Sequence, residues 1–433
     1  MSLCPIIDAR TTDPFPALRG RQISGDEVTE KIVAAVIEDV RQRGDAALLD
    51  SGRKFDAPGL TSILVSDEER EGIALSPHFV SALEHAAKRI EQFHTLQLGH
   101  FTQGLEPQGG SFGWTHEHVG QKVTALGSIG VYVPGGKATY PSSVLMNTIP
   151  ARVAGVEHRF VTTPARTDGT LAPSVLAALN IVGAERAFKI GGAAGIAAFA
   201  LGTESVPRVD KIVGPGNRFV NEAKRQLWGR VGLDGYAGPS EVCVLVDSHA
   251  DAEWAAADLL TQIEHSDDNS AFLVSTDEAK LYSVLEAVER QLQGAQCEHS
   301  MRTALSNESC AFLVSDLAQA VDIINAIAPE HVTISIRNPE SLVDKIQNAG
   351  CILLGEFTPE SAGDFVLGPS HTLPTKGAAR FGSPVNVLDF LKIQSVSNLT
   401  YDQLLDLIPT IEAFGEMEAF PTHARGATIR MVQ

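Results

Sequence analysis

The stretch Ser128-Ile129-Gly130-Val131-Tyr132-Val133-Pro134-Gly135-Gly136 shows the unit from which this chain is built. An apolar run of strand length ends in a proline and two glycines, which predicts a buried strand followed by a turn. Apolar runs recur at residues 160–162, 187–190 and 211–213, with helical stretches between them. Because strands that alternate with helices form parallel sheets, residues 126–236 predict one doubly wound domain.

A second alternation of the same kind follows. Its apolar runs lie at residues 241–246, 272–274, 311–314, 332–334 and 351–354. The predicted fold class is therefore α/β, with two doubly wound, Rossmann-like parallel-sheet domains and small N-terminal and helical C-terminal segments. The predicted division is a lead-in at 1–25, a first domain made of 26–125 and 237–390 with a connector at 104–125, a second domain at 126–236, and a strand-free helical tail at 391–433.

The composition argues against several classes of function. Among 433 residues, 34 Lys+Arg against 53 Asp+Glu give a net charge of −19, which opposes binding to nucleic acid or anionic membranes. Five scattered cysteines without Cys-x-x-Cys spacing indicate reduced thiols of a cytoplasmic protein. No apolar run reaches the roughly 18 residues that span a bilayer, and the amino terminus lacks the apolar segment of a signal peptide.

Three glycine-rich turns lie at predicted strand-to-helix junctions, at residues 134–136, 191–195 and 214–217. Such turns let backbone N–H groups approach a phosphate at the start of a helix. Glycine also serves ordinary turns between strands and helices, so one such turn means little. Three in one domain favour a nucleotide site about as strongly as the ordinary explanation.

Acid and imidazole side chains follow the last predicted strand, at Asp364 and His371. Because open α/β sheets place ligands at the carboxyl ends of their strands, these residues are candidates for a metal ligand and a substrate contact. The alternative is a solvated loop in which Asp364 caps a turn and His371 has no role.

Two further pairs of polar side chains lie at predicted helix ends. Gln262 and His265 are three residues apart and share one helix face, although a histidine there is more often an electrostatic cap than a ligand. Glu330 and His331 lie at a helix-to-strand turn, where they could supply a carboxylate and a general base. The other interpretation is that Glu330 is solvated and His331 caps the preceding helix.

Taken together and in order, these motifs resemble the L-histidinol dehydrogenase family, and the resemblance covers essentially the whole chain. The glycine-rich stretches at 131–137 and 214–217 belong to it. The remaining motifs are Gly238-Pro239-Ser240-Glu241, Gln262-Ile263-Glu264-His265, Ala328-Pro329-Glu330-His331, Thr358-Pro359-Glu360-Ser361-Ala362-Gly363-Asp364, His371-Thr372-Leu373-Pro374-Thr375 and Thr422-His423-Ala424.

The resemblance implies one zinc ion per subunit. Its ligands would be Gln262, His265, Asp364 and His423, a mixed nitrogen and oxygen set that leaves room for substrate. In this family the last histidine comes from the second subunit. The tail would therefore be exchanged in a homodimer with composite active sites.

The resemblance also implies the reaction, a four-electron oxidation of a primary alcohol to a carboxylate through a bound aldehyde, with two NAD⁺ used in turn. L-Histidinol to L-histidine, the last step of histidine biosynthesis, is the expected reaction. His331 would take the hydroxyl proton, and Glu330 would activate water. Substrate contacts are expected from the four metal ligands, Glu330, Ser240, His371 and Glu418, and cofactor contacts from Tyr132 and Asn217.

Several positions depart from the family pattern. Ala194 replaces a glutamine that touches the cofactor, and Ser370 replaces an asparagine before His371. Further departures lie at residues 233–235, 382–387 and 418–420. The metal and base positions match, but the pocket lining does not fully match, which leaves open a relative acting on another small primary alcohol, such as a sulfonated propanediol. A third possibility is a non-catalytic binding protein that has kept its metal site.

Overall fold

Two parallel β-sheets form the framework in the computed structural model, which describes residues 3–18, 26–102, 112–116, 118–136, 138–235 and 237–431. Parts of the predicted lead-in (1–2 and 19–25) and connector (104–111 and 117) lie outside these residues. The strands are β1 (Ile6–Asp8), β2 (Phe112–His116), β3 (Val119–Ala125), β4 (Ser128–Tyr132), β5 (His158–Thr163), β6 (Arg186–Lys189), β7 (Lys211–Val213), β8 (Gly232–Leu233), β9 (Glu241–Val246), β10 (Ser270–Ser275), β11 (Cys310–Leu313), β12 (His331–Ser335), β13 (Cys351–Leu354) and β14 (Leu391–Ser397).

The helices alternate with these strands over most of the chain. They are α1 (Glu27–Arg43), α2 (Asp45–Phe55), α3 (Asp67–Glu71), α4 (Pro77–Thr102), α5 (Pro141–Ala154), α6 (Pro173–Val182), α7 (Gly192–Leu201), α8 (Arg218–Leu227), α9 (Ala252–Ile263), α10 (Glu278–Leu292), α11 (Glu298–Asn307), α12 (Leu317–Ile327), α13 (Glu360–Phe365), α14 (Tyr401–Met417) and α15 (Pro421–Thr428). Among the described residues, no helix combines the length and apolar character that crossing a membrane requires.

The first sheet has six parallel strands in the order β1-β11-β10-β9-β12-β13. Every residue of β9 is buried, because helices cover both faces. Val242 and Val244 pack on one face with apolar residues of α9, α10 and α11, whereas Cys243 and Leu245 pack on the other face with α12. The predicted α/β class and the second strand alternation are confirmed.

The second sheet has five parallel strands in the order β6-β5-β4-β7-β8. The chain passes from β4 to β5 and β6 on one side and then returns to β7 on the other. The switch in direction between β4 and β7 is where such sheets bind ligands. Gly130 of β4 allows close packing, because an added Cβ atom would overlap the ring of Phe199 on α7. The doubly wound prediction for this segment is confirmed.

Helices α1 and α2 belong with the second sheet, which corrects the assignment of residues 26–55 to the first domain. Val33 and Ile37 of α1 and Leu48 of α2 share one buried core with Phe188 and Phe199. The lead-in also differs from its prediction, because β1 pairs with β11 as an edge strand of the six-stranded sheet. An amphipathic helix shows that one face is buried, but its periodicity does not identify the surface that covers that face.

Residues 99–124 and 391–433 form a separate unit. Within it, β2 and β3 form an antiparallel hairpin, and β14 borders β3. The tail was expected to contain no strand, and β14 shows that this expectation is wrong. Most of β14 is exposed, so its residues lack the apolar pattern that marks a buried strand. The two tail helices, α14 and α15, pack against each other.

Candidate active site

A cavity of about 600 Å³ lies between opposite edges of the two sheets. The five-stranded sheet contributes its carboxyl edge, through Pro134 after β4 and residues 215–219 after β7. The six-stranded sheet contributes its amino edge, because Ser240 directly precedes β9 and Glu330 directly precedes β12. Seven candidates from the sequence line this cavity together with Asn217, namely Ser240, Gln262, His265, Glu330, His331, Asp364 and His371.

The position of Asp364 corrects one expectation. The loop after β13 was expected to place its polar residues at the carboxyl edge of the sheet. Instead, the chain returns through α13, and Asp364 Oδ1 lies 3.4 Å from His331 Nε2. His331 is the first residue of β12 and pairs with Cys351, the first residue of β13. The acid therefore reaches the amino edge, where the other polar residues are.

Gln262, Glu330 and His331 form a buried hydrogen-bonded group. The Gln262 amide nitrogen lies 2.8 Å from His331 Nδ1 and donates to Glu330 Oε2 at 3.2 Å. Glu330 Oε2 also accepts the backbone N–H of Glu241 at 2.9 Å. Gln262 is in the last turn of α9, and the α12–β12 connection supplies Glu330 and His331. One amide thus fixes both predicted catalytic side chains.

Burial controls the acidity of Glu330. The Glu330 side chain is buried, and this raises its pKa well above the usual range for a carboxyl group. The N–H of Glu241 favours the charged form, while the negative charge of Asp364 opposes it. A carboxyl group with a raised pKa is a stronger base when ionised, so it suits proton transfer.

Asp364 has the opposite balance. Burial alone would raise its pKa, but the hydrogen bond and charge of His331, together with the charge of His371, hold the pKa below its usual value. His371 Nδ1 lies 2.9 Å from the Asp364 backbone oxygen, and His371 Nε2 lies 3.2 Å from the hydroxyl oxygen of Ser143 on α5. His371 thereby connects the two edges of the cavity.

The side chains fit part of a zinc site. Gln262, His265 and Asp364 line the same cavity, and an amide oxygen, an imidazole and a carboxylate are suitable ligands. Across the described ranges, no group of three or more His, Cys, Asp and Glu side chains could hold a metal ion. The proposed set is consistent with this finding, since one ligand is an amide and a fourth must come from elsewhere. Glu418 and His423 are both exposed residues of the separate unit.

The two cofactor candidates lie at different depths. Asn217 lines the cavity and caps α8, where its side-chain oxygen accepts the N–H groups of Phe219 and Val220. Tyr132 is buried, and its hydroxyl oxygen accepts the N–H of Gly192 at 3.1 Å. Burial raises the pKa of Tyr132 to about 12, so this hydroxyl stays protonated. Ala194, in the first turn of α7, is buried in the same core.

Two supporting residues were not singled out from the sequence. Asn269 accepts the N–H of Ser240 at 2.9 Å and donates to the Gln262 backbone oxygen at 2.8 Å, so it joins two candidate substrate contacts. Glu360 is fully buried, and within the described part of the chain neither carboxylate oxygen has a hydrogen-bond partner. The only sequence feature that could have identified Glu360 is its position in the Thr358–Asp364 motif. No sequence feature indicated Asn269.

Comparison with known proteins gives a consistent result. The family model described as histidinol dehydrogenase matches residues 19–431. Histidinol dehydrogenase from Pseudomonas aeruginosa is 42% identical over 423 residues, which cover 96% of this chain and 93% of that protein. The Nitrosomonas europaea histidinol dehydrogenase is 42% identical over 414 residues, covering 94% of each chain.

A solved structure agrees with the sequence relatives. The crystal structure of histidinol dehydrogenase from Elizabethkingia anophelis superposes with a TM-score of 0.92 at 34% sequence identity. The match covers 100% of this chain and 98% of that chain. The similarity therefore extends over both sheets and the separate unit.

Proposed function

Because this chain belongs to the histidinol dehydrogenase family of NAD-dependent oxidoreductases, we propose that it oxidises L-histidinol to L-histidine. One alcohol, two NAD⁺ and one water would give the carboxylate, two NADH and three protons. The observation that carries this proposal is the hydrogen-bonded group of Gln262, Glu330 and His331 beside Asp364 in one cavity. The reaction would be the last step of histidine biosynthesis. We propose that the protein works in the cytoplasm, with which the absence of a disulfide between its five cysteines is compatible.

Gln262, His265 and Asp364 would hold one zinc ion together with His423 of the partner subunit. When bound, zinc supplies a Lewis acid and an anchor for the amino and imidazole nitrogens of the substrate. Ser240, His371 and Glu418 would complete the substrate contacts. Ser240 and His371 already lie in the cavity, and their neighbours Asn269 and Ser143 fix their positions.

His331 would accept the hydroxyl proton while hydride passes to NAD⁺. The N–H of Gln262 is directed at Nδ1, so neutral His331 carries its own proton on Nε2, toward Asp364. Accepting another proton requires a free ring nitrogen. The proposal therefore requires the bond between Gln262 and His331 to break when substrate binds, which also frees the amide to turn its oxygen to the metal.

Glu330 would act in the second half of the reaction. It would remove a proton from the water that adds to the bound aldehyde, and the hydrate would then give the second hydride. The raised pKa of Glu330 supports this role, since a carboxylate with a raised pKa is a stronger base and takes a proton from water more readily.

A second substrate class is supported by one feature of the cavity. Lys376 lines it, with its ammonium group paired to Glu308, and Arg218 also lines it. These cations would suit a small primary alcohol that carries an anionic group, such as a sulfonated propanediol. The departures from the family pattern at Ser370 and at residues 382–387 lie on either side of Lys376 in the sequence. A non-catalytic binding protein would need no Glu330–His331 pair.

A substrate comparison tests the proposal. The zinc-loaded protein would be given L-histidinol or a sulfonated propanediol, and NADH formation would be followed for both. Turnover of L-histidinol at an ordinary rate of roughly 1–1000 s⁻¹ is expected. Faster turnover of the sulfonated alcohol would transfer the proposal to the second substrate class, and no NADH from either would support a binding protein. The Lys376→Ala variant should leave L-histidinol oxidation nearly unchanged.

A further inference from the structure

Two backbone N–H groups of the glycine turn at the start of α7, those of Gly191 and Gly192, already have hydrogen-bond partners. Gly191 donates its N–H to the carboxylate of Asp56, and Gly192 donates its N–H to the hydroxyl of Tyr132 at 3.1 Å. A phosphate at the start of a helix normally binds to such N–H groups. Here a carboxylate and a phenol accept these two N–H groups, so neither of the two is available to a phosphate.

Asp56 is packed closely onto this turn. A Cβ atom added to Gly191 would lie 3.0 Å from Asp56 Oδ2 and 3.0 Å from Pro164 Cβ. Gly192 has a φ of 60°, a left-handed conformation that glycine adopts without strain. The lack of a side chain at Gly191 thus leaves room for the Asp56 carboxylate, whereas a Cβ atom added to Gly192 would meet no atom within 4 Å.

The neighbouring structure holds Asp56 in place. It is the C-cap residue of α2, and the next residue, Ala57, is buried in a small cluster with Leu60 and Ala165. No basic side chain of the described residues forms an ion pair with Asp56, so its negative charge is not neutralised by a neighbour. Burial raises its pKa to about 6, which still leaves it mostly ionised at neutral pH.

We propose that Asp56 makes this protein selective for NAD⁺ over NADP⁺, an inference that rests on the proposed function. The expected cofactor-contacting residues, Tyr132 and position 194, both lie at this turn, which places the cofactor beside Asp56. A carboxylate accepts hydrogen bonds from ribose hydroxyls, whereas it repels the 2′-phosphate of NADP⁺. The sign of the charge at one position would therefore determine which dinucleotide binds.

Two variants and a matched control test this role. Asp56→Asn keeps an acceptor for the Gly191 N–H and removes the charge, and Asp56→Ser serves if the first variant does not fold. Asp210→Asn is the control, because Asp210 also accepts backbone N–H groups, from Gly127 and Ser128 at 3.0 Å each, but at the opposite edge of the sheet. Calorimetric titration of each zinc-loaded protein with NAD⁺ and with NADP⁺ gives both dissociation constants without turnover.

The wild-type protein is expected to bind NAD⁺ more tightly than NADP⁺. Asp56→Asn should reduce this preference by roughly tenfold or more, mainly through tighter NADP⁺ binding, and Asp210→Asn should leave it unchanged. An unchanged preference in a folded Asp56 variant that still binds NAD⁺ would overturn the inference alone. Failure of the zinc-loaded wild-type protein to bind NAD⁺ would overturn the proposed function and the inference together.

Discussion

Glu330 combines two requirements that conflict. It must be buried to lie beside His331, yet burial penalises the charged form, which would act as the proposed base. The N–H groups of Glu241 and Gln262 offset part of the cost of burying the charge, because both donate to one carboxylate oxygen and stabilise the ionised form. The Ser240 side chain also forms a hydrogen bond with this carboxylate. A small change at this residue should therefore affect proton transfer more than folding.

Glu330→Gln should lower the overall rate by roughly 10²–10⁴-fold, with the second oxidation impaired more than the first, because only hydration of the aldehyde needs this base. Rapid quenching should detect aldehyde that does not accumulate in the wild type. The matched control is Glu308→Gln, which changes another carboxylate of the cavity that pairs with Lys376. An unchanged rate with no aldehyde in the Glu330 variant would remove the assigned role.

At the scale of elements, α9 and α13 each contribute a pair of polar side chains. Asp258 and Gln262 are one turn apart on α9, and Glu360 and Asp364 are one turn apart on α13. The backbone N–H of Glu360 donates to the Asp258 carboxylate, so a hydrogen bond joins the two helices one turn away from the candidate metal ligands. The spacing within each helix could be predicted from the sequence, but the contact between the helices could not.

Asp258 should make the metal-free protein sensitive to pH. Burial raises its pKa from 3.8 to about 6, so the folded state favours the neutral form. This stabilising contribution is complete below about pH 4 and is lost as the pH rises through about 6, at most about 3 kcal/mol. As the pH rises from about 4.5 to 7.5, the free energy of unfolding should therefore fall less in Asp258→Asn than in the wild type. Urea unfolding of the chelator-treated proteins at equal concentration measures this, and parallel pH dependences would contradict it.

Prediction from the sequence succeeded where burial produced a regular pattern. The strands β9 and β4 were predicted because every residue of β9 and most of β4 is buried. The exposed strand β14 was not predicted, since it shows no apolar pattern. The candidate site residues came from motifs with family-specific spacing. The position of Asp364 at the amino edge depends on the path of α13, which no local pattern determines.

At the scale of the whole molecule, the chain joins opposite edges of two similar sheets around one cavity. The five-stranded sheet lines the cavity with its carboxyl edge, as expected for the proposed cofactor domain, whereas the six-stranded sheet lines it with its amino edge, which carries the proposed catalytic residues. Two doubly wound sheets would thus have different roles, one in binding the cofactor and one in catalysis. The proposed His423 contribution from a second subunit would extend this division of labour to the dimer.

Composite sites predict complementation between inactive variants. His423→Ala should lose zinc, and Glu330→Gln should lose catalysis, but in a mixed dimer one of the two sites would carry neither change. Mixing the two proteins in equal amounts under subunit exchange should restore about a quarter of wild-type activity. Each variant alone, treated in the same way, is the control. No recovery despite proven exchange, or normal zinc content in His423→Ala, would contradict the shared site.

The most direct test of the proposed reaction is the number of NADH molecules formed for each L-histidinol consumed. The zinc-loaded protein would be given limiting L-histidinol and excess NAD⁺, with NADH followed by absorbance and L-histidine by chromatography. The proposed four-electron oxidation predicts two NADH and one L-histidine for each alcohol. One NADH with released aldehyde, or no turnover of L-histidinol by protein that binds both zinc and NAD⁺, would contradict it.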